Sequence, residues 1–164
     1  RGALRAAVTV LEAFRQRNRP VVHVRVAFDD EYHRRTSAGK SFAYMQEHRL
    51  MLEADPASAI VSELTPLPGE LVVTKGCQNA FVGTNLAERL VRMRPTQLVM
   101  GGVATNYVVE ATARYATDVG YDVVILEDLC ASFSEEMHEF AITKVLPRVA
   151  TIASSADFLT ELQP

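Results

Sequence analysis

A chain of 164 residues, 48% hydrophobic and 23% charged, is long enough for one domain with a sizeable core and carries no low-complexity tract. Its 17 basic and 20 acidic residues are spread along the chain to a net charge of −3, so no basic stripe invites nucleic acid and no polybasic or amphipathic anchor invites a membrane. The longest apolar runs, such as 122–126, are far too short to span a bilayer.

The chain opens on an amphipathic segment rather than a long apolar core, which argues against a signal peptide. Residues 3–18 have apolar positions at helical spacing and end in polar residues before Pro20. Residues 21–28 are β-branched and bounded by Pro20 and Asp29, the pattern of a strand. Residues 28–41 are polar and read as a loop; a short helix is expected over 42–54, and the stretch with Pro56, Pro66, Pro68 and Gly69 is irregular.

Residues 70–75 form the next expected strand, closing on Lys75, and 84–94 a helix with Thr84 as N-cap. A buried strand at 97–102 ends in two glycines and feeds a helix over 106–120 that stops at Gly120. Strand 121–128, helix 134–147 and strand 149–154 complete the pattern. Near-continuous apolar strands alternating with helices predict a parallel sheet covered on both faces, a doubly wound three-layer α/β/α domain over 1–164. Ligands of such sheets bind beyond the carboxyl ends of the strands, which selects Phe28 and Asp29, Lys75, the 101–108 turn and Glu127 to Cys130.

Three blocks resemble the isochorismatase-like hydrolases, the superfamily that also holds nicotinamidases and N-carbamoylsarcosine amidases. The first is Lys75 with Ala80-Phe81 and Gly83-Thr84-Asn85-Leu86; the second is Gly102-Val103-Ala104-Thr105-Asn106 leading into Val109-Glu110-Ala111-Thr112; the third is Gly120-Tyr121 opening a strand that closes on Glu127-Asp128. The resemblance implies a strand order of 3-2-1-4-5-6, a homo-oligomer, and a site without cofactor or metal that acts on a small-molecule substrate. The chain starts at the helix that follows the family's first strand. That strand lies mid-sheet and carries the family aspartate, so an upstream strand, or a segment of another subunit, is expected to fill the gap. Without it two half-sheets with unpaired edges would be left.

In most of the family an aspartate, the strand-ending lysine and a cysteine in the turn do the chemistry. The lysine and the helix N-terminus favour a thiolate, and backbone N–H groups hold the oxyanion. The cysteine position is Val108 here, which cannot be a nucleophile, and neither Cys77 nor Cys130 replaces it by position. Those two lie far apart without metal-ligand spacing and read as free thiols of a reducing compartment, hence a cytoplasmic location. The resemblance therefore implies a subgroup without the cysteine, working by acid–base chemistry with a water nucleophile. The rival reading is a catalytically inactive relative that binds a small molecule or a partner protein.

Each candidate has a plain structural alternative. Lys75 either pairs with the family aspartate or only snorkels to solvent. The resemblance implies a cis bond at Val103–Ala104 and oxyanion donors at Ala104 and Val108. Thr105 and Asn106 cap the helix, contact ligand, or do both. Phe81 and Tyr107 line a pocket or belong to the core, and Phe28 with Asp29 stands at the pocket entrance or in a solvated loop. Asp29, Asp30 and His33 lack the D-x-H spacing of the nicotinamidase metal site, and His138, between charged neighbours, reads as a surface or interface residue. A dinucleotide site would need G-x-G-x-x-G, which the 101–106 turn lacks.

Overall fold

The computed structural model describes residues 2–162. They fall into two compact units, one of 2–20 with 93–162 and the other of Val21–Arg92. The protein is a mixed α/β chain whose strand pairings are all parallel among the described residues.

In the unit Val21–Arg92, β1 (Val22–Val26) pairs with β2 (Leu71–Lys75), in register from Val22↔Leu71 to Val26↔Lys75. Between them, α2 covers Lys40–Glu47 and not the expected 42–54. It stops at His48 because Arg49 and Met51 turn left-handed, with φ of 51° and 59°, a conformation that no α-helix continues through. Leu52 then pairs in a single parallel bridge with Phe28. The Phe28 N–H donates to the Met51 carbonyl and the Glu53 N–H to the Phe28 carbonyl, both at 2.8 Å. After the irregular stretch and β2, α3 (Leu86–Met93) begins where Thr84 Oγ1 accepts from the Leu86 N–H at 3.3 Å.

In the other unit, β3 (Gln97–Val103), β4 (Asp122–Ala131) and β5 (Thr151–Ala153) form a sheet in that order. Residues 123–126 of β4 are all buried. Val124 and Leu126 pack with Val10 and Phe14 of α1 (Gly2–Gln16) and with Phe158 and Leu159 of α6 (Ser155–Glu161). Val123 and Ile125 point to the opposite face by the period of two. α4 (Glu110–Asp118) also packs on β4 and buries Ala113 and Ala116 completely. β4 runs three residues past its expected end, with a register shift between Met100 and Gly102 on β3.

Two further helical expectations need correction. The helix expected over 106–120 opens as a π-helical turn, Thr105–Val109, before α4 takes over. The one expected over 134–147 is α5 (Glu135–Phe140), then a π turn over Ala141–Val145 and a 3-10 turn over Leu146–Arg148. Pro147 has no N–H to give to a carbonyl four residues back, so regular winding cannot persist through it. α6 was not anticipated. Ser154 caps it by accepting from the Asp157 N–H at 3.1 Å, and the Ser155 N–H donates to the Asp128 carboxylate at 2.8 Å.

The sheet order implied by the family resemblance places a strand between these two sets, and the described residues hold two sheets, of two and three strands. Among them β1 pairs with β2 alone and β3 with β4 alone, so each keeps an open edge.

Candidate active site

Lys75 closes β2 and is 1% exposed, so it does not snorkel to solvent. Its Nζ donates to the Cys77 carbonyl at 2.5 Å. Beyond it the loop is tied to itself: the Cys77 thiol to the Asn79 carbonyl (3.2 Å), the Phe81 N–H to Asn79 Oδ1 (2.8 Å), and the Thr84 hydroxyl to the Ala80 carbonyl (2.6 Å). Gly76 sits so close to the 34–35 backbone that an added Cβ would lie 1.8 Å from the Arg34 carbonyl oxygen. The ammonium is therefore held in a fixed loop with one carbonyl acceptor, and no carboxylate pairs with it among the described residues. Burial pushes its pKa down to about 8.

Phe28 and Asp29 follow β1. Phe28 is fully buried, stacked on Tyr32 (4.8 Å between ring centroids) and edge-on to Phe42 (6.3 Å), and forms a small core. The Asp29 carboxylate accepts from the backbone N–H groups of Glu31, His33 and Arg34 and lies 3.1 Å from His33 Nδ1. Burial acts to raise its pKa, yet those backbone donors outweigh it and hold the carboxyl at about 2. Asp29 is thus a loop-fixing residue. Phe81, expected at a pocket or in the core, is 6% exposed. No group of three His, Cys, Asp or Glu could hold a metal ion among the described residues.

The 101–108 turn belongs to the other unit. At Gly101 an added Cβ would stand 2.5 Å from Leu129 Cβ, so glycine lets β3 approach β4 here. The Val103–Ala104 peptide bond is cis, as the resemblance implied. The Ala104 carbonyl accepts from three N–H groups, those of Tyr107 (3.2 Å), Val108 (2.9 Å) and Val109 (3.3 Å). The expected Val108 donor is therefore engaged within the turn. The N–H groups of Ala104, Thr105 and Asn106 find no acceptor among the described residues, as the first residues of a helix leave theirs. Of the two donors expected from sequence, Ala104 is open and Val108 is engaged, and the N–H groups of Thr105 and Asn106 are open beside Ala104.

The side chains of the turn are held by the segment that follows β4. Thr105 is fully buried and its hydroxyl lies 2.8 Å from His138 Nδ1. Ser132 Oγ donates to Asn106 Oδ1. Tyr107 meets Phe133 edge-on, with centroids 5.7 Å apart, and both rings are partly or largely exposed. Val103 is 66% exposed, and Val108 is half-buried. His138, read from sequence as a surface or interface residue, is half-buried against the turn. The one sequence signal for it was a histidine early in the helix after the strand next to β3. Cys130 lies within β4; burial pushes its thiol up to about 11, where it is neither nucleophile nor ligand at neutral pH.

Chemically, the turn offers neutral N–H donors that could stabilise developing negative charge, and Lys75 offers a buried cation that could hold a carboxylate. No thiol, hydroxyl or imidazole stands at the position of Val108 itself.

Comparison with known proteins gives the family of the chain. The chain is 35% identical over 103 residues to the isochorismatase family protein YwoC of Bacillus subtilis, covering 63% of this chain and 54% of that one. It is 30% identical over 155 residues to the secreted isochorismatase effector Isc1 of Verticillium dahliae, covering 91% and 73%. The solved structure of an isochorismatase family protein from Burkholderia thailandensis superposes with a TM-score of 0.84 at 29% identity, over 98% of this chain and 84% of that one. The chain spans about half the length of several curated relatives. The family model of the isochorismatase domain matches residues 1–157, and the chain belongs to that family of isochorismatase-like hydrolases.

Proposed function

We propose that the protein is a hydrolase of a small polar metabolite that works by acid–base chemistry, with water rather than a thiol as nucleophile. The observation that carries this reading is Lys75, an ammonium buried at the end of a strand with a single carbonyl partner. A buried cation costs far less when a carboxylate faces it, and a carboxylate held there can give and take a proton. That carboxylate would come from outside the described residues. Val108 in place of the family cysteine argues against an acyl-enzyme, while the open N–H groups of Ala104, Thr105 and Asn106 suit an oxygen that gains charge.

Isc1 carries the name of an isochorismatase. Vinyl-ether cleavage needs only a proton donor and a water: the acid protonates the alkene carbon, water adds to the oxocarbenium carbon, and the hemiacetal collapses with loss of the alcohol. A vinyl ether is accordingly the first substrate class to test on this chain, with the half-exposed Val108 excluding groups that a smaller residue would admit. We take 1–164 as one domain, since the family match runs through both units. The exposed Tyr107, Phe133, Met137 and Phe140 favour a homo-oligomer, and two buried free thiols favour the cytoplasm.

The test is turnover across a panel of small vinyl ethers, amides and ureides, followed by Lys75→Ala on any substrate found. Loss of at least about two orders of magnitude in kcat/KM is expected. Unchanged turnover would overturn the mechanism. No turnover on any class, with small-molecule binding retained, would move the inactive-relative reading ahead.

A further inference from the structure

Three consecutive residues of the 104–109 turn, Thr105, Asn106 and Tyr107, are each held by one short segment after β4, through His138, Ser132 and Phe133. The backbone alone does not fix this turn. Its first carbonyl, Ala104, is shared among three N–H groups at 2.9–3.3 Å, a three-way division in which no single bond sets the winding. Side-chain anchors must therefore choose the register. Of the three, only the His138–Thr105 bond joins a fully buried group on the turn to an imidazole, and Thr105 lies between the two other residues whose N–H groups are open. α5, which carries His138, is itself capped by Ser134 Oγ accepting from the Met137 N–H at 3.2 Å, so the imidazole stands on a fixed support.

The geometry points to His138 as a positioning residue: through Thr105 it holds the turn that carries the open N–H groups of Ala104, Thr105 and Asn106, which take an anionic oxygen of the substrate or of the reaction. This rests on the proposed role of those N–H groups as oxyanion donors. His138 touches no reacting atom in this scheme. It acts by denying the turn its alternative windings.

The experiment uses the full chain, labelled with nitrogen-15 and titrated with acetate as the anionic probe, with ionic strength held constant by chloride. In the wild type the amide signals of Ala104, Thr105 and Asn106 shift and saturate together. Thr105→Val and His138→Ala bind acetate at these amides about fivefold or more weakly, while His138→Asn, whose amide falls where Nδ1 was, recovers most of the affinity. Far-UV circular dichroism and melting establish that each variant is folded. Should His138→Ala fail to fold, His138→Gln, whose amide reaches beyond Nδ1, takes its place with the same expected weakening. A wild type whose three amides ignore acetate would overturn the donor reading. A wild type that responds, with folded Thr105→Val and His138→Ala or His138→Gln variants binding as tightly, would leave the donors standing and overturn the role of His138.

Discussion

Replacing Lys75 by methionine, which keeps the stem and removes the charge, tests the energetics of the buried ammonium directly. The fall in its pKa from 10.5 to about 8 corresponds to about 3 kcal/mol of preference for the neutral amine in the folded chain. The unfolded lysine keeps its proton up to 10.5 and the folded one only to about 8. Between those values the unfolded state binds more protons, so stability rises with pH; the penalty is full below about 8 and gone above 10.5. Against this, the substitution strips the Cys77 carbonyl of its donor, at a cost of about 1–2 kcal/mol. In the chain without the facing carboxylate of the proposed site, Lys75→Met should therefore stabilise by about 1–2 kcal/mol near pH 7 and destabilise by a similar amount near pH 11. Urea unfolding at both pH values, with midpoints compared at constant slope, reads the sign change. Equal destabilisation at both would refute the reasoning, because it would mean that the ammonium carries no uncompensated burial cost.

Other outcomes follow from separate parts of the molecule. Gly76→Ala drives a Cβ to 1.8 Å from the Arg34 carbonyl oxygen and should cost at least the upper end of the ~1–3 kcal/mol typical of overpacking, read as a fall in the urea midpoint; a neutral effect would mean that the 34–35 loop is not packed on Gly76. Cys130, buried and pushed up to about 11, should resist iodoacetamide in the native chain at mildly alkaline pH and react fully in urea, as followed by intact mass. The Asp29 carboxyl should titrate at about 2 in carbon-13 spectra, and because its folded pKa lies below the model value of 3.8, Asp29→Asn should flatten the acid loss of stability over that interval. Asp128→Ala removes the acceptor of the Ser155 N–H and hydroxyl and should cost about 1 kcal/mol or more through α6, measurable as a lower melting temperature.

The strands were legible because each is a short apolar run bounded by turn residues: Lys75 and Gly101 stood where such runs ended and Gly120 where one began. Such signals are local. What escaped was set by contacts distant in sequence or by backbone choices without a residue signature. α2 ends early because Arg49 and Met51, ordinary residues in composition, adopt left-handed conformations that let Leu52 pair with Phe28. Phe28 is buried with Tyr32 and Phe42, and Leu52 packs against that cluster. The π turn is invisible to a periodicity of 3.6, and the Val108 N–H is engaged by an ordinary i→i+4 bond to the Ala104 carbonyl at its start. His138 and Thr105 are 33 residues apart, joined only because β3 and β4 are neighbours. α6 did leave a trace, a serine three residues before Asp157, which is a capping pattern too short to stand out beside the strand it follows.

The π turn carries one more consequence. Relative to regular α winding, a π turn takes up an additional residue while the helix beyond it keeps its own α winding. The buried face of α4, with Ala113 and Ala116, would be presented as well by a chain one residue shorter between 105 and 109. Packing and site thus place separable demands on this helix. A single-residue deletion there would be tolerated by the fold while erasing the turn, whereas the same deletion inside 110–118 would rotate the buried face away from the sheet. Among natural insertions and deletions, this is the place where a relative could part with the site and keep the scaffold.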